Sequence, residues 1–208
     1  MADFWLTGNP DADALLGSDD NALLLGMVLD QQVPMEKAFS GPAVIAQRMG
    51  GTLDVAAIAA MEEDAFVALC SQRPAIHRFP GSMGKRVRQV CQTLVEEFDG
   101  EAANVWRTAT TGAELKAALM RLPGFGPEKA TIFTAVLGKL RGVTPDGWRE
   151  AAGPFGAPDS FSSVADIVDA ESLQRVREAK RSVKAARKAA APPVDASGPS
   201  RHPGPVGG

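Results

Sequence analysis

The segment that most constrains this chain is Leu122-Pro123-Gly124-Phe125-Gly126-Pro127, which must end one helix and begin another within a few residues. Thr111-Gly112-Ala113-Glu114 has the spacing of a capping box and opens a helix with Leu115, Ala118, Leu119 and Leu122 on one face. Pro123-Gly124 stops that helix. Pro127 suits the first position of a second helix and Glu128 its first turn, with Ala130, Phe133, Val136 and Leu137 as its apolar face. The linking Gly124-Phe125-Gly126 is too short to let the helices part. Two glycines remove the Cβ atoms that would keep a ligand from the backbone, and they permit positive φ. The second helix begins with unpaired N–H groups that attract an anion; phosphate is the obvious candidate, with Lys129 adding a charged contact. A plain αα-turn with a glycine stop fits the same residues, so Gly-x-Gly alone does not decide between the two.

The rest of the chain also reads as helix. Asp19-Asp20-Asn21 caps a helix over roughly 20–30, and Pro34 and Pro42 stand as first-turn prolines of two short helices. Helical spacing continues through 54–60 and 62–70, and Ser82 caps a longer helix that Gly100 ends. Alternating patterns of useful length and fixed-period repeats are absent, so the fold class is all-α. Residues 1–19 form an N-terminal lead-in, 20–170 one helical domain, and 171–190 a basic C-terminal helix. The Pro/Gly/Ser/Ala-rich stretch 191–208 cannot bury a core and reads as a disordered tail.

A net charge of −3 does not advertise nucleic acid, but its distribution is uneven. Residues 1–66 hold eleven acids against Lys37 and Arg48, whereas 73–88 hold five bases and no acid. The stretch 174–188 sets seven bases against Glu178, giving a solvated helix or a phosphate-facing one. Arg73, His77 and Arg78 form either a DNA-facing loop or ordinary solvated surface. No apolar run approaches the ~18 residues of a membrane span. The N-terminus lacks the basic and apolar regions of a leader, which predicts a cytoplasmic protein, nucleoid-associated if bacterial. Two cysteines, Cys70 and Cys91, cannot supply the four thiolates of an iron–sulfur cluster; no cofactor and no metal site is expected.

Leu-Pro-Gly-Phe-Gly-Pro-Glu-Lys-Ala, with a capped helix before it and an apolar helix after it, resembles the helix-hairpin-helix of the HhH-GPD superfamily of base-excision DNA glycosylases. Gly142-Val143-Thr144-Pro145-Asp146-Gly147 stands where that family carries a Gly/Pro stretch and a catalytic aspartate, with the twenty-residue interval from Gly126 seen in the endonuclease III branch. Leu23 to Gln32 is similar to its early apolar helix and glutamine-bearing loop, and Gly81-Ser82-Met83-Gly84-Lys85-Arg86 to the opening of the helix before the hairpin. The resemblance covers roughly 20–170. It implies the helical DNA-glycosylase fold, a partner in double-stranded DNA with a damaged or mispaired base, and a monomer.

The resemblance also implies roles. Gly124, Phe125, Gly126, Lys129, Gln31, Gln32, Lys85 and Arg86 would contact DNA, and Asp146 would stabilise the oxocarbenium-like sugar as the base departs. Gln31 or Gln32 would fill the gap left by a flipped base. Asp146 departs from the family pattern because Pro145 and Gly147 flank it, and Pro-Asp-Gly equally opens a short helix at Trp148. Bifunctional members place a nucleophilic lysine two residues after the second hairpin glycine; Glu128 stands there, which predicts a hydrolytic enzyme without Schiff-base chemistry. A DNA-binding protein without catalysis is the alternative, and a helical interaction protein with a mere tight turn is the reading outside DNA. Met27, Phe79, Trp106, Phe133, Trp148 and Phe155 read as core, with a stacking pocket as the other possibility.

Overall fold

A computed structural model describes residues 4–190, with the backbone alone for 184 and 187–190. Eleven α-helices and two 3₁₀ turns make up its regular structure. The described residues contain no strand, only a single bridge between Thr111 and Asp146. The expected tail at 191–208 lies outside the described residues.

The N-terminal half is built on α2 (Asp20–Leu29), which is capped by the Asp19 carboxylate and buried from Ala22 through Leu29. A helix apolar all round belongs in the middle of a core. α1 (Pro10–Ser18) precedes it, and Phe4, Leu6 and Leu16 are buried, so the described part of the expected lead-in packs into the core. α3 (Met35–Arg48) is one continuous helix, not two, with Pro34 at its N-cap and Pro42 inside it. Its missing N–H is tolerated because Ala38, Phe39, Ile45 and Ala46 form an unbroken buried stripe, and tertiary burial overrides the local penalty. Close approach of α2 and α3 is recorded by Gly26, where an added Cβ would lie 2.6 Å from the Phe39 ring.

α4 (Val55–Ala60) and α5 (Glu63–Ser71) pack on α6 (Pro80–Glu97). α6 starts three residues earlier than a Ser82 cap would place it: Phe79 is the N-cap, Pro80 takes the first position, and the Ser82 hydroxyl reaches back to the Phe79 carbonyl at 3.4 Å. After α7 (Ala103–Trp106), α8 (Gly112–Met120) opens on the expected capping box of Thr111 and Glu114. α9 (Pro127–Leu140) is the spine of the C-terminal half, surrounded by α8, α10 (Trp148–Ala151) and the two 3₁₀ turns. α11 (Ala170–Ala190) is the last described element, and its Arg177 grips Glu36 of α3 at 2.6 Å.

Candidate nucleic-acid interface

The loop between α8 and α9 forms as its glycines require. Gly124 has φ +85, inside the left-handed region, and Gly126 is the extended N-cap of α9. No side chain caps α9, so its first-turn N–H groups face solvent beside the exposed Gly126, Pro127 and Glu128. Such a terminus carries roughly half a positive charge and suits an anion. Phe125 does not join that surface. It is 5% exposed, and its ring meets Phe133 edge-on at 5.8 Å. Its ring anchors the loop from the inside, so any contact of Phe125 with DNA falls to its backbone.

Lys85 and Arg86 part company because successive residues on a helix point ~100° apart. Lys85 leans on Glu63 of α5 at 2.6 Å, away from the hairpin. Arg86 lies against Gly124, at the hairpin itself.

Lys129 turns inward. Its Nζ donates to the carbonyl oxygens of Met27 at 2.8 Å and Val28 at 2.9 Å, in the last turn of α2. The negative end of that helix suits an ammonium, yet burial lowers the Lys129 pKa to about 8, against the raising influence of Asp30. Asp30, the residue after α2, is itself part-buried. Burial pushes its carboxyl up, Lys180 and Lys129 oppose the rise, and Glu36 adds to it.

Gln31 and Gln32 follow and are both exposed. His77 is 2% exposed and fixes this loop: its Nε2 lies 2.9 Å from the Gln31 carbonyl, while its Nδ1 accepts the Phe79 N–H at 3.0 Å. Those two bonds fit the neutral imidazole protonated on Nε2, and burial lowers its pKa accordingly. His77 is therefore an interior strut, while Arg73 and Arg78 stay on the surface. Gln32 has φ +56, an unfavourable state for a residue with a Cβ, at the tip nearest solvent. Of the six candidate core side chains, Phe79 is the exception at 45% exposed, with Arg78 stacked 5.3 Å from its ring centre. Phe79 reads as core from sequence, with a stacking pocket as the other possibility; its exposure follows from its place at the N-cap of α6.

Asp146 lies at the other end of α9 from the hairpin. Its N–H bonds the Thr110 carbonyl at 3.1 Å and its carbonyl accepts from Gly112 at 2.7 Å, placing it at the start of α8 and past the end of α9. Fourteen residues of α9 separate that end from the hairpin, ~20 Å at the helical rise. A groove of ≈ 620 Å³ does lie at that end, lined by Lys139, Trp148, Arg149, Asp166 and Arg175 among others. Of its carboxylates, which also include Asp159, Asp169 and Glu171, Asp166 is engaged by Lys139, Ser160 and the N–H groups of Ser162 and Ser163, an arrangement that holds the fold. Cys70 and Cys91 are buried, and burial pushes both thiols up to about 12.

The packing of α8 against α9 and the uncapped start between them define an all-α helix-hairpin-helix protein. The chain belongs to the HhH-GPD superfamily of base excision DNA repair proteins, whose family model matches residues 25–196. That match contains the hairpin, the Gln31-Gln32 loop and Asp146, and reaches through α11. Comparison with curated proteins and with solved structures gives no match. Among the described residues, no helix is long and apolar enough to cross a membrane.

Proposed function

We propose that this protein is a monofunctional DNA glycosylase that hydrolyses the N-glycosidic bond of a flipped, damaged or mispaired base in double-stranded DNA. The observation that carries this reading is the mouth formed by the uncapped start of α9, with Arg86 at Gly124 and the Gln31-Gln32 loop beside the end of α2. A phosphate seated on the α9 terminus fixes the strand in register. Gln31, Gln32 and Phe79 then face the duplex; an exposed aromatic and two amides suit the gap that an extruded nucleotide leaves.

Hydrolysis by water is supported by Glu128, exposed at the position where lyase members carry lysine. The neighbouring Lys129 has its ammonium protons engaged by two carbonyls and so serves as a fixed cation. The two buried cysteines are too few for a four-thiolate cluster, which supports chemistry without one. We place the protein in the cytoplasm, on the nucleoid if bacterial, acting as a monomer.

The test is base release from a panel of duplexes carrying uracil, alkylated purine, oxidised guanine or mispairs. At least one substrate should lose its base, leaving an abasic site, and borohydride should trap no covalent adduct. Salt-sensitive duplex binding without any base release would favour the non-catalytic DNA-binding alternative.

A further inference from the structure

We propose that α11 makes a second contact with the DNA backbone, in which Lys180 and Arg181 hold phosphates of the duplex beside the Gln31-Gln32 loop. This assignment rests on the DNA-binding part of the reading above and on none of its chemistry.

The helix is fastened at one end and bare at the other. The Asp169 carboxylate accepts the Ser172 N–H at 2.7 Å, and the Ser172 hydroxyl oxygen accepts the Val168 and Asp169 N–H groups at 2.9 Å each. Val176 is fully buried. Arg177 then donates to Glu36 through Nε at 2.9 Å and Nη2 at 2.6 Å, and the Lys180 Nζ comes to 3.9 Å from the Met35 sulfur. Residues 181–190 continue the helix, adding ~15 Å at the helical rise. Where side chains are described in that stretch, at 181–183, 185 and 186, all are exposed.

These contacts set the bare stretch next to the loop. Met35 and Glu36 open α3 directly after the Gln31-Gln32 loop, whereas Met27 and Val28, whose carbonyls hold Lys129, lie just before it. The loop therefore leaves α2 beside one lysine and enters α3 beside another. The bases of α11 divide by partner. Arg175 pairs with Glu171 at 2.8 Å and stacks on Phe161, and Arg177 is taken by Glu36. Lys180 and Arg181 form no ion pair among the described residues. Residues 179–190 hold five bases and no acid, so the stretch lacks the carboxylates that balance a solvated helix at i, i+4. Its charge suits a dense polyanion, and duplex DNA carries one negative charge per ~1.7 Å of axis.

The experiment measures the affinity of the full chain for an undamaged duplex across a salt series, so base release plays no part in it. Lys180→Gln should lower the slope of log affinity against log salt by about one, and Lys180→Gln combined with Arg181→Gln by about two. Glutamine forms helix nearly as well as either base, so α11 persists in both variants. Arg175→Gln removes the same charge from the same helix, but a paired one, and should leave the slope within ~0.3 of wild type. A double variant with the wild-type slope, or a loss as large in Arg175→Gln as in Lys180→Gln, overturns the assignment and leaves the glycosylase reading standing. So does wild-type binding to phosphatidylserine vesicles that the double variant loses with its duplex slope unchanged, which would give the helix an anionic lipid surface instead. A wild type that shows these slopes yet releases no base from any lesion duplex defeats the glycosylase reading and leaves this contact in place.

Discussion

Arg86 lies so close over Gly124 that a Cβ on the glycine would stand 2.5 Å from its Nη1. The helix before the hairpin thus delivers a guanidinium to the point where the hairpin backbone is barest. Arg86→Ala should reduce the slope of log affinity against log salt for duplex DNA by about one, the signature of one lost phosphate contact. Lys85→Ala should change it less, since Lys85 already neutralises Glu63. Fluorescence anisotropy across a salt series reads both slopes; equal losses would mean that the two residues share one surface.

Lys129 gives the fold a pH dependence whose sign is fixed. Its pKa is about 8 in the folded chain against an ordinary 10.5. Between those values the unfolded chain binds more protons, so this lysine's contribution to stability improves as pH rises through the window. Lys129→Met lacks that term. The unfolding free energy of wild type minus that of Lys129→Met should therefore grow from about pH 7.5 to about pH 10, with Asp30 and Arg86 present in both. Urea titrations at several pH values measure it, and a flat difference would show that the ammonium is not desolvated.

Gly138 is the tightest contact in the C-terminal half. A Cβ there would lie 2.2 Å from the ring of Trp148, a side chain only 9% exposed. Gly138→Ala should destabilise by about 1–3 kcal/mol through overpacking. In a chain of this size each kcal/mol lowers Tm by about 2–4 °C. Thermal unfolding followed by tryptophan fluorescence gives the shift; an unchanged Tm would show that Trp148 has room to move.

Local chemistry was readable from the sequence, and long-range placement was not. The capping box of Thr111 and Glu114, the Asp19 cap and Pro127 at the start of α9 follow from interactions within four residues, and each stands as expected. Pro42 misled because the burial that carries α3 through it comes from α2, which no local window contains. Lys129 and Met27 are 102 residues apart, so the lysine's inward turn had no signature in either segment. Phe125 was grouped with its glycines by adjacency, whereas its ring was claimed by Phe133.

α9 is fastened to the N-terminal helices at both ends. Lys129 reaches the close of α2, and Arg141 holds the Leu16 carbonyl at 2.6 Å and stands 3.0 Å from Asp20. Two such ties resist any parting of the C-terminal half from the N-terminal helices. In the proposed glycosylase the work of distortion would then fall on the DNA, and the sites engaged most readily would be those whose bases are already poorly stacked.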